Sequence, residues 1–164
     1  FDSAALCSSS HSFVSTGTTQ SNSGTTAFSY AALDATLSLM RRFKNSQDRL
    51  ILNIKPDTLV GPVELETQFT EVIQSELKAG SANNDINVFN RAFKIVTTPF
   101  LTDTNNWFLM DSRRMKEYLQ WIMRIRPEFN RTSDFNTFVK CWSLYVRFAV
   151  QPLHWVGIYG HAVS

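Results

Sequence analysis

The stretch FKIVTTPFLTDTNNWFLM (Phe93–Met110) decides how this chain is read. Phe93, Ile95 and Val96 form a run of strand type that stops at Pro99. A polar turn covers Thr102 to Asn106, and an apolar run restarts at Trp107. Two strands flanking a loop are predicted, over Phe93–Thr98 and Trp107–Met110. Upstream lies LNIKPDTLVGPVELE (Leu52–Glu66). No nucleophile, ligand cluster or phosphate-binding loop interrupts either segment.

Working outward, Leu50, Leu52 and Ile54 alternate with Ile51 and Asn53, which predicts a short strand ending at Pro56 and extended by Thr58 to Gly61. Pro62 then occupies a first-turn position, and Glu64 and Glu66 put negative charge at the positive end of the next helix. Leu65, Phe69, Val72, Ile73 and Leu77 make its apolar stripe, with Gly80 as the stop. An earlier helix begins after Ser29 as N-cap, carries Leu33, Leu37 and Met40, and ends near Lys44 to Ser46. Residues 8–26, rich in Ser, Thr, Gly and Asn, bury too little apolar surface to offset their ordering entropy and are predicted to form a flexible loop.

Beyond Met110, the periodicity from Met115 to Ile125 fits either a helix or a strand, and a strand is the preferred reading. Asn130 to Asn136 reads as a polar connection. Trp142, Leu144, Val146, Phe148 and Val150 then alternate with Cys141, Ser143, Tyr145 and Arg147, which predicts a long strand with one buried face, placed in the core. Trp155 to Tyr159 is a short closing segment. Two helices among at least four strands make one α+β unit over residues 1–164.

The chain has 164 residues, enough for one domain that removes roughly 70% of its unfolded surface from water. Its 13 Phe, four Trp and four Tyr supply a large aromatic area for a core or an interface. A net charge of +2 gives no basic field for reading nucleic acid sequence. Cys7 and Cys141 have no framework or metal spacing and are read as reduced thiols. Neither a membrane span nor a signal peptide is expected. The start at Phe1 suggests a processed product or an excised piece.

Few residues nominate chemistry. Cys7 and His11 have the types of a nucleophile and its base, but in a loop the pair reads as an incidental thiol and a surface imidazole. His154 and His161 lack the further donors a metal site needs. Asp103, Asp111, Glu117, Glu128 and Asp134 are scattered, and their ordinary role is a solvated face. Asn130-Arg131-Thr132 is a glycosylation-type triplet read as coincidence. Arg113, Arg114, Lys116, Arg124 and Arg126 form a basic region that suits either phosphate contact or a charged sheet edge. No catalytic, cofactor-binding or metal-binding residue is assigned, and no enzyme activity is expected.

Taken in order, Ser10-His11, the helix from Ser29 to Met40, Ile54-x-Pro56-x-x-Leu59-Val60-x-Pro62-x-x-Leu65-Glu66, Phe93-Lys94-Ile95-Val96-Thr97-Thr98-Pro99-x-Leu101-x-Asp103 and Trp107-Phe108-Leu109 resemble the later part of the major capsid proteins of tailed bacteriophages. The likeness is to the Mu-type and prohead-protease-associated groups with the Hong Kong 97 capsid fold. It runs from Ser10 to Met110 and weakens beyond, where the family's glycine- and aspartate-rich strand pair is replaced by RTSDFNTFVKCWSLYVRF. The resemblance implies an axial domain with part of a peripheral domain, and a central mixed or antiparallel sheet flanked by two main helices. It further implies self-assembly through pentamers and hexamers into an icosahedral virion shell around double-stranded DNA, with a scaffold or prohead protease as assembly partner. Assembly would take place in the host cytoplasm, with no membrane and no cofactor. The competing readings are a small thiol- or histidine-dependent hydrolase and a generic protein-binding module.

Overall fold

The computed structural model describes residues 4–12, 17–45, 47–78 and 85–163. Its first helix, α1 (Tyr30–Arg41), begins as the sequence predicts: the Ser29 hydroxyl accepts from the Ala32 N–H at 3.1 Å. Its inner face carries Leu33 and Met40, both fully buried, and Thr36. The expected strand over Leu50–Ile54 does not form. Asn53 takes a left-handed φ of 46°, which no strand tolerates, and only an isolated bridge joins Lys44 to Ile51. Instead Leu52 N–H donates to Phe43 O, and the segment turns Ile54 into the core.

A strand does form over Thr58–Gly61, and Pro62 then opens a single 3-10 turn, Val63–Leu65, ahead of helix α2 (Glu66–Gln74). Phe69 and Ile73 of the predicted stripe are buried. The helix stops earlier than expected because Ser75 is extended, which leaves Leu77 beyond it and half exposed; the predicted stop, Gly80, lies outside the described residues. The pair flanking Pro99 appears as predicted, over Lys94–Thr97 and Trp107–Met110. The ambiguous region after Met110 turns out to hold both structures in succession. A short helix α3 (Ser112–Tyr118), capped by the Asp111 carboxylate, changes at Leu119 into a strand running to Ser133.

In chain order the strands are β1 (His11–Ser12), β2 (Thr19–Gln20), β3 (Ser23–Gly24), β4 (Thr58–Gly61), β5 (Lys94–Thr97), β6 (Trp107–Met110), β7 (Leu119–Ser133), β8 (Lys140–Pro152) and β9 (Ile158–His161). Five form a mixed sheet in the order β3-β9-β6-β4-β5. Its outer pairs are parallel and its inner pairs antiparallel. The closing segment predicted at Trp155 to Tyr159 leads into β9, which lies inside the sheet between β3 and β6. Ile95, Leu59, Leu109 and Tyr159 stand opposite one another across four strands and present one row to the core. Phe28 meets Phe69 and Trp107 edge-on there, with centroids 4.6 and 5.2 Å away. The fold is thus α+β, with two main helices and a third short one among the described residues.

Two further features depart from the sequence reading. Within residues 8–26, predicted to form a loop, His11 and Asn22 are almost completely buried, and β1 pairs β2 while β3 joins the main sheet. The alternating strand at Trp142–Val150 does exist, inside β8, but it pairs only with β7, and Trp142 is 56% exposed. It is not part of the core. One-sided alternation specifies an apolar face and leaves open what covers it.

Candidate functional site

The segment preceding β3 is fastened by two buried side chains. Asn22 Oδ1 accepts from Ser8 N–H and from the His11 Nε2–H at 2.8 and 2.9 Å, and its Nδ2 donates to Leu6 O and Ile158 O. His11 stacks on Trp155 with centroids 4.4 Å apart. The imidazole expected at the surface is therefore a structural one. Burial pushes the Cys7 thiol up to about 11, so it is protonated at neutral pH and a poor nucleophile. Both conditions for a thiolate–imidazole pair are contradicted: His11 Nε2 is committed to Asn22, and the thiol is not ionised.

His154 and His161 are likewise engaged. His154 Nδ1 accepts from Val156 N–H. His161 Nδ1 accepts from Thr26 N–H, and its Nε2 donates to Thr36 Oγ1. The scattered carboxylates mostly do local structural work. Asp103 accepts from Asn105 N–H, and Asp111 caps α3 through Arg113 and Arg114 N–H. Asp134 accepts from Asn136 N–H and Thr137 Oγ1, bonds that hold its carboxyl below the usual range. Glu117 lies on the exposed side of α3, and Glu128 stands opposite Tyr145 in β7. Asp57, which the sequence reading passed over, ties β4 to α3 by accepting from Ser112 N–H at 2.8 Å and from its hydroxyl. Among the described residues, no three His, Cys, Asp or Glu side chains are placed to hold a metal ion.

The basic region is divided. Arg113, Arg114 and Lys116 belong to α3, where Arg114 pairs with Asp111 at 3.7 Å, whereas Arg124 and Arg126 lie in β7. The triplet Asn130-Arg131-Thr132 is exposed in the same strand.

What remains is the β7–β8 hairpin, whose strands are the longest among the described residues. Its strands of 15 and 13 residues extend about 45 Å. Trp121 faces Val150, Met123 faces Phe148, Phe129 faces Leu144 and Arg131 faces Trp142. Opposed residues share a face, so these, with Val146, make one side apolar. Trp121 stacks on Phe148 at 4.6 Å, Phe129 meets Trp142 at 5.3 Å, and Arg131 lies over the Trp142 ring. On the other side Gln120 faces Gln151, Glu128 faces Tyr145, Asn130 faces Ser143 and Thr132 faces Cys141, and this side is largely polar. The tip is a tight turn in which Phe138 N–H donates to Asp134 O, with Phe135 and Phe138 both exposed.

An apolar stripe this large in solvent marks an interaction site. Residues 6–160 match a family model described as phage capsid protein, an extent that takes in the five-stranded body and the whole hairpin. No curated protein matches the chain.

Proposed function

We infer the function from one fact: the chain belongs to the phage capsid protein family. It is therefore a structural virion component whose kind associates with copies of itself into a shell. The finer reading is that the chain is the later, axial part of a major capsid subunit of the Hong Kong 97 type, with part of its peripheral domain. In this reading it builds an icosahedral head around double-stranded DNA through pentamers and hexamers. The family match over residues 6–160 carries this proposal. The α+β body and the ordered likeness from Ser10 to Met110 support the Hong Kong 97 type and, within it, the Mu-type or prohead-protease-associated group. A scaffold or prohead protease is the proposed assembly partner, with assembly in the host cytoplasm and sequence-independent contact with packaged DNA.

Negative-stain electron microscopy of the complete gene product, expressed with a neighbouring scaffold or protease gene, tests the proposal. Hollow shells or capsomer rings are the expected result. A folded product that yields only small monodisperse particles would refute it and favour the binding-module reading.

A further inference from the structure

The chain is nearly neutral, yet its body carries opposite charge at the two ends of the five-stranded sheet. Thr58 of β4 stands opposite Met110 of β6, so the segment before β4 and helix α3 after β6 lie at one end. There Asp57 accepts from Ser112 N–H at 2.8 Å, and Arg114 Nη2–H donates to Leu52 O at 3.4 Å. The two segments so joined, residues 41–57 and 111–118, carry eight cations against four carboxylates. At the other end Thr98 N–H donates to Gly61 O, which keeps the turn after β4 beside the loop before β6. Residues 62–66 and 98–106 there hold Glu64, Glu66 and Asp103 and no cation. The near-zero sum over the whole chain hides this separation.

At the basic end three of the four carboxylates are already engaged. Asp48 pairs with Lys44 at 2.8 Å, Asp111 caps α3 and pairs with Arg114, and Asp57 accepts from Ser112 and from the Thr58 hydroxyl. Arg41, Lys55 and Arg113 are exposed and, among the described residues, form no ion pair. Lys55 stands between two open recesses. One, of about 450 Å³, is lined by Asn53, Lys55, Asp57, Asp111, Arg113 and Arg114, all polar or charged. The other it shares with Arg41 and Asp34. The core of a protein–protein contact is depleted of charged residues, whereas a nucleic acid backbone is held by cations and polar groups and needs nothing apolar. Resting on the capsid reading, we propose that this end of the sheet, through Arg41, Lys55 and Arg113, is the surface that meets the phosphates of the packaged duplex. Glu64, Glu66 and Asp103 at the far end repel the same polyanion, so the field of the body selects one orientation toward it.

The test uses the complete gene product and a short blunt-ended duplex DNA, with affinity measured across a salt series. Wild type is expected to bind with an affinity that falls steeply as salt rises. Lys55→Gln combined with Arg113→Gln is expected to reduce the slope of log K against log salt by about 2, close to one for each phosphate contact removed. Glu64→Gln combined with Glu66→Gln is expected to leave that slope unchanged. Acetylation of Lys55 in the wild type, read by mass spectrometry and needing no variant to fold, is expected to slow several-fold when duplex is added, while Lys140 on the hairpin reacts at its free rate. An unchanged slope in the Lys55 and Arg113 double variant, or protection of Lys140 in place of Lys55, overturns the proposal while the capsid reading stands. Polyglutamate that binds as tightly as the duplex, charge for charge, would mean an acidic protein partner and also overturns it. A wild type that binds duplex through Lys55 but never forms shells removes the capsid reading, and the packaged partner with it.

Discussion

His161 lies flat on Trp107, with ring centroids 4.1 Å apart and planes 6° from parallel. Its Nδ1 accepts from Thr26 N–H, so the proton sits on Nε2 and is donated to Thr36 Oγ1 at 2.9 Å; the Thr36 hydroxyl in turn donates to Ala32 O. A second ring proton would point at an N–H that is itself a donor. Burial accordingly lowers the His161 pKa from 6.5 to about 4. The folded state favours the neutral ring, so this contribution is complete above pH 6.5 and is lost as pH falls toward 4. At about 1.4 kcal/mol per pH unit, the loss amounts to roughly 3 kcal/mol. Urea midpoints should drop between pH 7 and pH 4.5, whereas His161→Gln should be weaker at pH 7 but flat across that window. A wild-type midpoint that does not move would refute the assignment.

Asn22 holds the amino-terminal segment with its whole amide group. Replacing it with Leu strands Ser8 N–H, His11 Nε2–H, Leu6 O and Ile158 O. Each buried group left unpaired costs about 1–3 kcal/mol, though relaxation and water recover part. Asn22→Leu should therefore destabilise by about 3–5 kcal/mol and make the first 25 residues susceptible to limited proteolysis before the body unfolds. Equal resistance in the two proteins would show that Asn22 is not the fastening.

Helix α2 lies so close to β4 that a Cβ on Gly61 would sit 2.5 Å from the Phe69 ring. Gly61→Ala should cost about 1–3 kcal/mol through overpacking, read as a lowered melting temperature. Phe69→Leu is damaging alone, yet it should mask part of that cost in the double variant. Strict additivity of the two changes would mean that the contact is not the cause.

The sheet strands were legible because β4, β5 and β6 each carry a short apolar run bounded by Pro, Gly or Asn. So was α1, by its Ser29 cap. The signal failed where the backbone departs from one period. Register shifts fall between Met123 and Ile125 and between Ile125 and Glu128, and the extra residues lie in β7, near Pro127. Two slips in a period of two restore the original face but erase the pattern over Arg124–Pro127, while β8 keeps its clean alternation. The buried His11 and Asn22 were hidden by composition: a Ser- and Gly-rich stretch gives no hint that one amide will satisfy four partners. The exposed hairpin was misplaced because alternation reports amphipathicity, not what lies against the apolar side.

The two cysteines offer a separate test of the body against the hairpin. Cys7 is half buried, with its Sγ so near Gly160 that a Cβ there would lie 2.8 Å away, and burial raises its pKa to about 11. At pH 8 its thiolate fraction is about two orders of magnitude below that of an ordinary thiol with pKa near 8.5–9. Cys141 is exposed on the polar face of β8. Iodoacetamide at pH 8, followed by mass spectrometry, should label Cys141 first and Cys7 at least about 100-fold more slowly than a small free thiol, with the difference abolished in urea. Fast native labelling of Cys7 would mean an ionised thiol at that position and would revive the thiol-hydrolase reading. Slow labelling follows from the burial that fixes the amino-terminal segment to β9, so it should be lost together with that fastening in Asn22→Leu.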